Sequence, residues 1–177
     1  MAVHHVALAT HDLEATHRFY TEVMGFEVAK VVAGPTPEGG WAKHVFYETG
    51  EPGGGMIAFW ELHVDSLRDF PTDLNRGLGL PDWVNHVAFD APTLEALAGH
   101  RRRWQADGRT VLELDHGFCT SIYTNDPNGI LVEFCCTTRD FTPDERRFAV
   151  DHVLATEVEF EAPPSATVHE PLTTAPA

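Results

Sequence analysis

Basic side chains and cysteines are scarce in this sequence. Twelve Lys and Arg stand against 27 Asp and Glu, a formal net charge of -15. A surface that acidic disfavours nucleic acid or an anionic membrane as a general partner, because either requires a basic patch. Only three cysteines occur in 177 residues, and two of them, Cys135 and Cys136, are adjacent. That excludes a disulfide framework and leaves buried, reduced thiols as the expectation. No apolar run approaches the roughly 20 residues of a membrane-spanning helix. The chain starts directly with MAVHHVAL, without a basic segment followed by an apolar signal core. A cytoplasmic protein is the expectation.

What is present reads as a duplicated α+β unit. Val3 to Ala9 is a short apolar strand, and Thr10-His11-Asp12 offers helix-capping chemistry. Leu13, Thr16, Phe19, Tyr20, Val23 and Met24 then recur at helical spacing until Gly25. Strands are expected at 26–33, 41–47 and 56–62, giving the order βαβββ. Residues 63–82 show no clean period and carry Pro71, Gly77, Gly79 and Pro81, as a connector would. From Trp83 the order βαβββ returns, with a helix from Pro92 to about Asp107 and strands at 109–114, 118–124 and 130–136. The duplication is visible in the residues, since HVALATHDLEA from His5 parallels HVAFDAPTLEA from His86.

The expected organisation is one domain over 1–155, made of module one (1–62), the connector (63–82), module two (83–138) and a C-terminal helix (142–155). The Pro-, Thr- and Ala-rich stretch 156–177 is expected to be disordered. His11, His17, His100 and His152 fall on or beside helices and are expected at the surface, as is the run Arg101-Arg102-Arg103. Glu133, inside the apolar run ILVEFCC, would be a costly buried charge without a cation.

The opening HHVALATHDLEATHRFYTEVMGFEV resembles that of the vicinal oxygen chelate superfamily, the glyoxalase, bleomycin-resistance and extradiol dioxygenase proteins. Asn85-His86-Val87-Ala88 and Asp126-Pro127-Asn128-Gly129 extend the resemblance to about Thr138. It implies two βαβββ modules whose mixed sheets curl around a metal site. Carried over residue by residue, it implies His5, His86 and Glu133 as metal ligands. His4 is the competing neighbour of His5, and alternation along a strand lets only one of them face the site. Aligning GMIAFWEL from Gly55 with GILVEFCC from Gly129 puts Phe59 opposite Glu133. A slip of strand pairing would instead deliver Glu61 as a fourth ligand. His44 and Tyr47 are further candidates for lining the cavity.

Within the superfamily, the stretch His116 to Glu133 (HGFCTSIYTNDPNGILVE) resembles the signature of type I extradiol ring-cleaving dioxygenases. The resemblance implies His116 and Tyr123 as catalytic acid/base and hydrogen-bonding groups. It further implies Fe(II), with Mn(II), Zn(II), Ni(II) and Co(II) as alternatives, an aromatic-diol substrate, O2 and a homodimer. The alternatives are a glyoxalase I-like or epimerase-like isomerase or lyase and a non-catalytic small-molecule binding or resistance protein.

Overall fold

Asp12 starts the first helix by accepting a hydrogen bond from the backbone N–H of Ala15 at 2.8 Å. The helix α1 (Leu13–Arg18) continues into a π-helical turn over Phe19–Val23, and Gly25 ends it in the left-handed region at φ 82°. Its apolar side, Phe19, Tyr20 and Val23, is fully or almost fully buried. In the computed structural model, which describes residues 3–50, 54–157, 160 and 162–172, that side packs on the first of two sheets.

The first sheet has the order β1-β4-β3-β2, from β1 (His5–Thr10), β2 (Glu27–Pro35), β3 (Trp41–Glu48) and β4 (Met56–His63). β1 runs parallel to β4, and the other pairs are antiparallel. Alternation assigns the faces. Val45, Tyr47, Ile57 and Phe59 are buried, with Tyr47 and Phe59 5.8 and 4.7 Å from the Tyr20 ring. His5, Ala7, Ala9, Met56, Ala58, Trp60, His44 and Phe46 lie on the opposite face by the strand register.

The second sheet has the order β5-β8-β7-β6-β9. Its strands are β5 (His86–Asp90), β6 (Val111–Asp115), β7 (Cys119–Asn125), β8 (Leu131–Thr137) and β9 (Ser165–His169). The helices α2 (Leu74–Leu78), α3 (Leu94–Ala106) and α4 (Pro143–His152) complete the regular structure, with a 3-10 turn at Asp65–Leu67. α3 covers one face: Trp104 is fully buried, and Phe134 lies 5.5 Å from its ring. Truncating Phe134 to Ala would cost about 3–5 kcal/mol.

The duplicated βαβββ order is therefore present, and three expectations are corrected. The tail expected to be disordered forms β9, paired antiparallel with β6 from Val111↔His169 to Asp115↔Ser165; residues 158–159, 161 and 173–177 of that tail lie outside the described residues. His169 and Arg101 meet on Glu113, so Arg101 is half-buried in an ion-pair cluster rather than solvated. His100 is not a surface residue. Its ring stacks at 3.7 Å on Phe134, and burial, reinforced by Arg103, pushes its pKa down to about 4. Sequence periodicity along α3 could not show this, because His fits an apolar face only when a neighbouring ring covers it.

By internal contacts the chain divides into two compact units, residues 1–89 with 124–132, and residues 90–123 with 133–177. The turn Asp126-Pro127-Asn128-Gly129 thus belongs with α1. Asp126 Oδ1 accepts from the backbone N–H groups of Asn128 (2.8 Å) and Ile130 (2.9 Å). Its Oδ2 accepts from the Tyr20 hydroxyl and the Asn128 amide, both at 3.1 Å. The Asn128 amide also donates to Thr16 Oγ1, which shares a 2.8 Å hydrogen bond with Thr10 Oγ1. Every member of this network is less than a tenth exposed.

Residues 63–82 are ordered rather than slack. Asn75 is 3% exposed; its amide donates to the carbonyls of Asp82 (2.7 Å) and Asn85 (2.8 Å), and its side-chain oxygen accepts from the N–H of Asn85 (2.8 Å).

Two expected outcomes follow from the turn. Gly129 has φ 80°, and a Cβ there would sit 2.9 Å from the Asp73 side chain. Gly129→Ala should destabilise the protein by about 1–3 kcal/mol, measured as a lowered melting temperature. Burial raises the pKa of Asp126 despite the hydrogen bonds that oppose it. The folded state thus holds the Asp126 proton to higher pH than the unfolded chain does, and stability is lost as pH rises through that interval. The stability of the wild type relative to Asp126→Asn should fall between pH 3.5 and pH 7 in urea unfolding, and a flat or rising difference would contradict the assignment.

Candidate functional site

In the first unit, β1 presents His5 at its start, exposed and 2.7 Å (Nδ1 to Nδ1) from His4. The register His5↔Met56 places His5 on the face turned away from α1. Its ring lies 5.5 Å from Phe46 and 6.3 Å from His44. His44 is 8% exposed, stacked at 3.8 Å on Trp60, and its buried Nε2 has no hydrogen-bond partner among the described residues. Burial and then the proximity of His5 lower its pKa, so its neutral form is favoured. His86 opens β5 and is exposed; the hydrogen bonds of Asn75 to Asn85 fix the backbone just before it.

Two further expectations change here. Tyr47 belongs to the core face, 3.3 Å from His17 and fully buried, and does not share the face of His5. Nor does Glu61. The register Thr10↔Glu61↔Lys43 turns it to the other face, where Lys43 and His63 hold its Oε2 at 2.9 and 3.2 Å. Burial alone would raise the pKa of Glu61, but these hydrogen bonds and charges outweigh it and lower the value.

The module alignment itself shifts by one residue. Phe59 packs beneath α1 and Phe134 beneath α3, so these two phenylalanines are equivalent, and Ala58, fully buried, stands where Glu133 stands in the second module. A Gly-rich loop of different length before β4 hides this in the sequence. With period-2 alternation, a one-residue error inverts every side chain.

In the second unit, Phe134 points to α3, so Glu133 occupies the opposite face of β8, 5% exposed. Tyr123 of β7 donates to the Glu133 carboxylate. Burial above all pushes the phenol up to about 12; a hydrogen bond from Ser121 opposes it, and the charge and hydrogen bond of Glu133 add to it. The Tyr123 hydroxyl is 3.5 Å from His116 Nε2, and the backbone N–H of His116 donates to the carbonyl of Cys119 at 2.9 Å. The structure thus brings His116, Tyr123 and Glu133 into one contact chain. His116 also borders a cleft of about 1140 Å³ with Phe118, Phe141 and Arg146.

Sequence reasoning missed the rest of that face. Cys119 and Ser121 precede Tyr123 by four and two residues on β7, and Cys135 follows Glu133 by two on β8. Burial, then a hydrogen bond with Cys135, pushes the Cys119 thiol up to about 11. Counting back in twos from Tyr123 would have found these residues.

Two imidazoles and a carboxylate form a donor set that suits a divalent transition metal. His5 and His86 lie in the first unit and Glu133 in the second. Among the described residues, no group of three or more His, Cys, Asp or Glu side chains is gathered as a metal ion would require. No helix among them is long and apolar enough to cross a membrane.

Comparison with known proteins agrees with the architecture. The family model of the glyoxalase/bleomycin resistance protein/dioxygenase superfamily matches residues 2–134. No curated protein matches. Among solved structures, a glyoxylase/bleomycin resistance protein/dioxygenase domain from Frankia sp. EAN1pec is 22% identical with a TM-score of 0.57, over 77% of this chain and 98% of its own. The fosfomycin resistance protein FosX from Listeria monocytogenes is 22% identical with a TM-score of 0.52, over 82% and 98%. TnmS3, an antibiotic-binding protein from Streptomyces sp. CB03234, is 12% identical with a TM-score of 0.52, over 78% and 97%. With its duplicated βαβββ order, its two mixed sheets and this match, the chain belongs to the glyoxalase/bleomycin resistance protein/dioxygenase superfamily.

Proposed function

We propose that this protein is an Fe(II)-dependent ring-cleaving dioxygenase of the extradiol-like type, acting on a catechol- or hydroquinone-like substrate. His5, His86 and Glu133 would hold the metal. The observation that carries the reading is the contact chain from His116 through Tyr123 to Glu133. A phenol with a pKa near 12 remains protonated at neutral pH and can donate to a carboxylate or to a substrate oxygen. His116, at 3.5 Å, is positioned to take up or return the proton of a hydroxyl held there.

Ala58 opposite Glu133, and Glu61 committed to Lys43 and His63, support a site with three protein ligands and open positions. That speaks against the four-ligand arrangement of glyoxalase I-like isomerases. Iron, when bound, would supply the electron transfer that lets O2 react with an electron-rich ring. The remaining work falls to the chain: Tyr123 orients a substrate oxygen, His116 moves the proton, and Phe46 and Trp60 line the face that carries His5. A cytoplasmic homodimer belongs to the same proposal. The dimer is supported by the exposed apolar strand β2, where Val31 and Val32 are each 49% exposed.

A second reading, a non-catalytic small-molecule binding or resistance protein, is favoured by the lack of a gathered ligand cluster among the described residues. Metal analysis separates the two. After anaerobic loading with Fe(II), the dioxygenase reading expects bound iron and O2 uptake with a panel of catechols and hydroquinones. Glu133→Gln and His86→Ala should abolish both. Isomerase activity with Zn(II) or Ni(II) and no O2 uptake would overturn it, and failure to bind any metal would favour the binding protein. Tyr123→Phe should lower kcat by about 10²-fold or more with little change in KM. It should also cost about 1–3 kcal/mol of stability in urea unfolding, because a buried carboxylate loses a donor.

A further inference from the structure

An apolar pocket of about 500 Å³ lies on the His5 face of the first sheet. Its floor is Ala7 and Ala9 of β1 with Trp60 and Leu62 of β4, and its outer wall is Pro71 and Leu74 of the connector. Ala7 and Ala9 alternate with His5 along β1, and Ala9 pairs directly with Trp60, so floor and imidazole share one face. The alanines leave the room. Stacking of His44 at 3.8 Å holds the Trp60 indole, which remains 38% exposed. Thr72, the one hydroxyl-bearing side chain in the lining, donates to the carbonyl of Asn128 at 3.0 Å.

The connector wall is fixed at several points. His11 Nε2 contacts the carbonyl of Phe70 at 2.7 Å, and the two rings lie 4.1 Å apart. Asp73 caps α2 through the N–H of Arg76 at 2.9 Å and packs where Gly129 lacks a Cβ. Gly77 makes the matching concession to Pro71, whose ring carbons would stand 2.8 and 2.9 Å from an added Cβ. Asn75 closes the segment onto Asn85, immediately before His86. A wall held in this way discriminates by shape, because substrate cannot push it aside without breaking those contacts.

We infer that connector residues 71–74 form a fixed specificity wall, and that the pocket between them and Trp60 takes an uncharged aryl group of the substrate. The inference rests on the proposed function only in taking the His5 face as the substrate face. Size and neutrality are the selected properties. A carboxylate placed there would lose much of its water, and the lining residues include no cationic or amide side chain to compensate it. The exposed indole of Trp60 supplies an aromatic surface for the ring.

The test uses the metal-free full chain and calorimetric titration with 1-naphthol and with 1-naphthoate, a neutral and an anionic probe of similar shape. 1-Naphthol should bind at least tenfold more tightly than 1-naphthoate. Ala9→Leu, which fills the floor, and Leu74→Trp, which fills from the wall, should each weaken 1-naphthol binding at least tenfold while circular dichroism stays unchanged. The two variants come from different segments, so misfolding of one leaves the other to decide. Equal affinity for the two probes, or wild-type affinity in the folded variants, would overturn the inference. Weakening by Ala9→Leu alone, with Leu74→Trp folded and unaffected, would remove the connector from the pocket. Naphthol binding with no iron-dependent O2 uptake would sink the dioxygenase reading and leave the wall standing. Conversely, O2 uptake with aryl diols whose KM is the same in wild type and Ala9→Leu would sink the wall and leave the reaction.

Discussion

The constraint on which most of this structure depends is the burial of Asp126. A turn carrying Asp, Pro, Asn and Gly would ordinarily lie in water. Here its carboxylate is 5% exposed and accepts hydrogen bonds from its own turn and from Tyr20 of the first helix. Desolvation of a carboxylate is costly, and an unpartnered one would be expelled to the surface or neutralised. The network through Asn128 to Thr16 and Thr10 offsets that cost only when the turn and α1 are held at hydrogen-bonding distance. A polar knot of this kind is intolerant of alternatives, because each partially satisfied arrangement leaves a buried polar atom without a partner. It explains why residues 124–132 of the second module belong by their contacts to the first unit.

The same turn also fixes the connector. Gly129 lets Asp73 come close, and Asn128 offers its carbonyl to Thr72. Asn75 then carries the constraint to Asn85, one residue before His86. A chain of short-range requirements thus runs from a buried carboxylate to the backbone beside a proposed ligand. Each link is a hydrogen bond or a close approach that a particular side chain, or the lack of one, permits. None of them relies on a regular secondary structure element longer than five residues, which is why local propensity says so little about the segment.

The sequence made the duplicated order legible because periodicity and a repeated HVA motif are strong signals, and the strand and helix positions agree to within a few residues. The faces were less legible. The repeat favours His5 over its neighbour His4, and the register places His5 on the face turned away from α1. Phe59 and Glu61 sit one residue out of phase with the module alignment, since loop length before β4 is invisible to a period-2 pattern, and Tyr47 shares the buried face of Val45. His100 and Arg101 depart from expectation for another reason. Their surroundings come from Phe134, Glu113 and His169, partners between 12 and 68 positions away, and composition carries no record of such pairings. The strand at 165–169 escaped for a similar reason: its few apolar residues suffice only because β6 offers a ladder of backbone groups to pair with.

The comparison of Ala58 with Glu133 bears most directly on chemistry. The two modules share an order and a pattern of buried phenylalanines, so a carboxylate at both positions would be the symmetric outcome. A methyl group at one and a carboxylate at the other breaks the symmetry where strand geometry directs side chains away from the helices. Replacing Glu133 with an apolar residue of similar volume would relieve its desolvation cost. Stability alone selects against a buried charge there, and the proposed metal gives it a purpose that the alanine in the other module does not share.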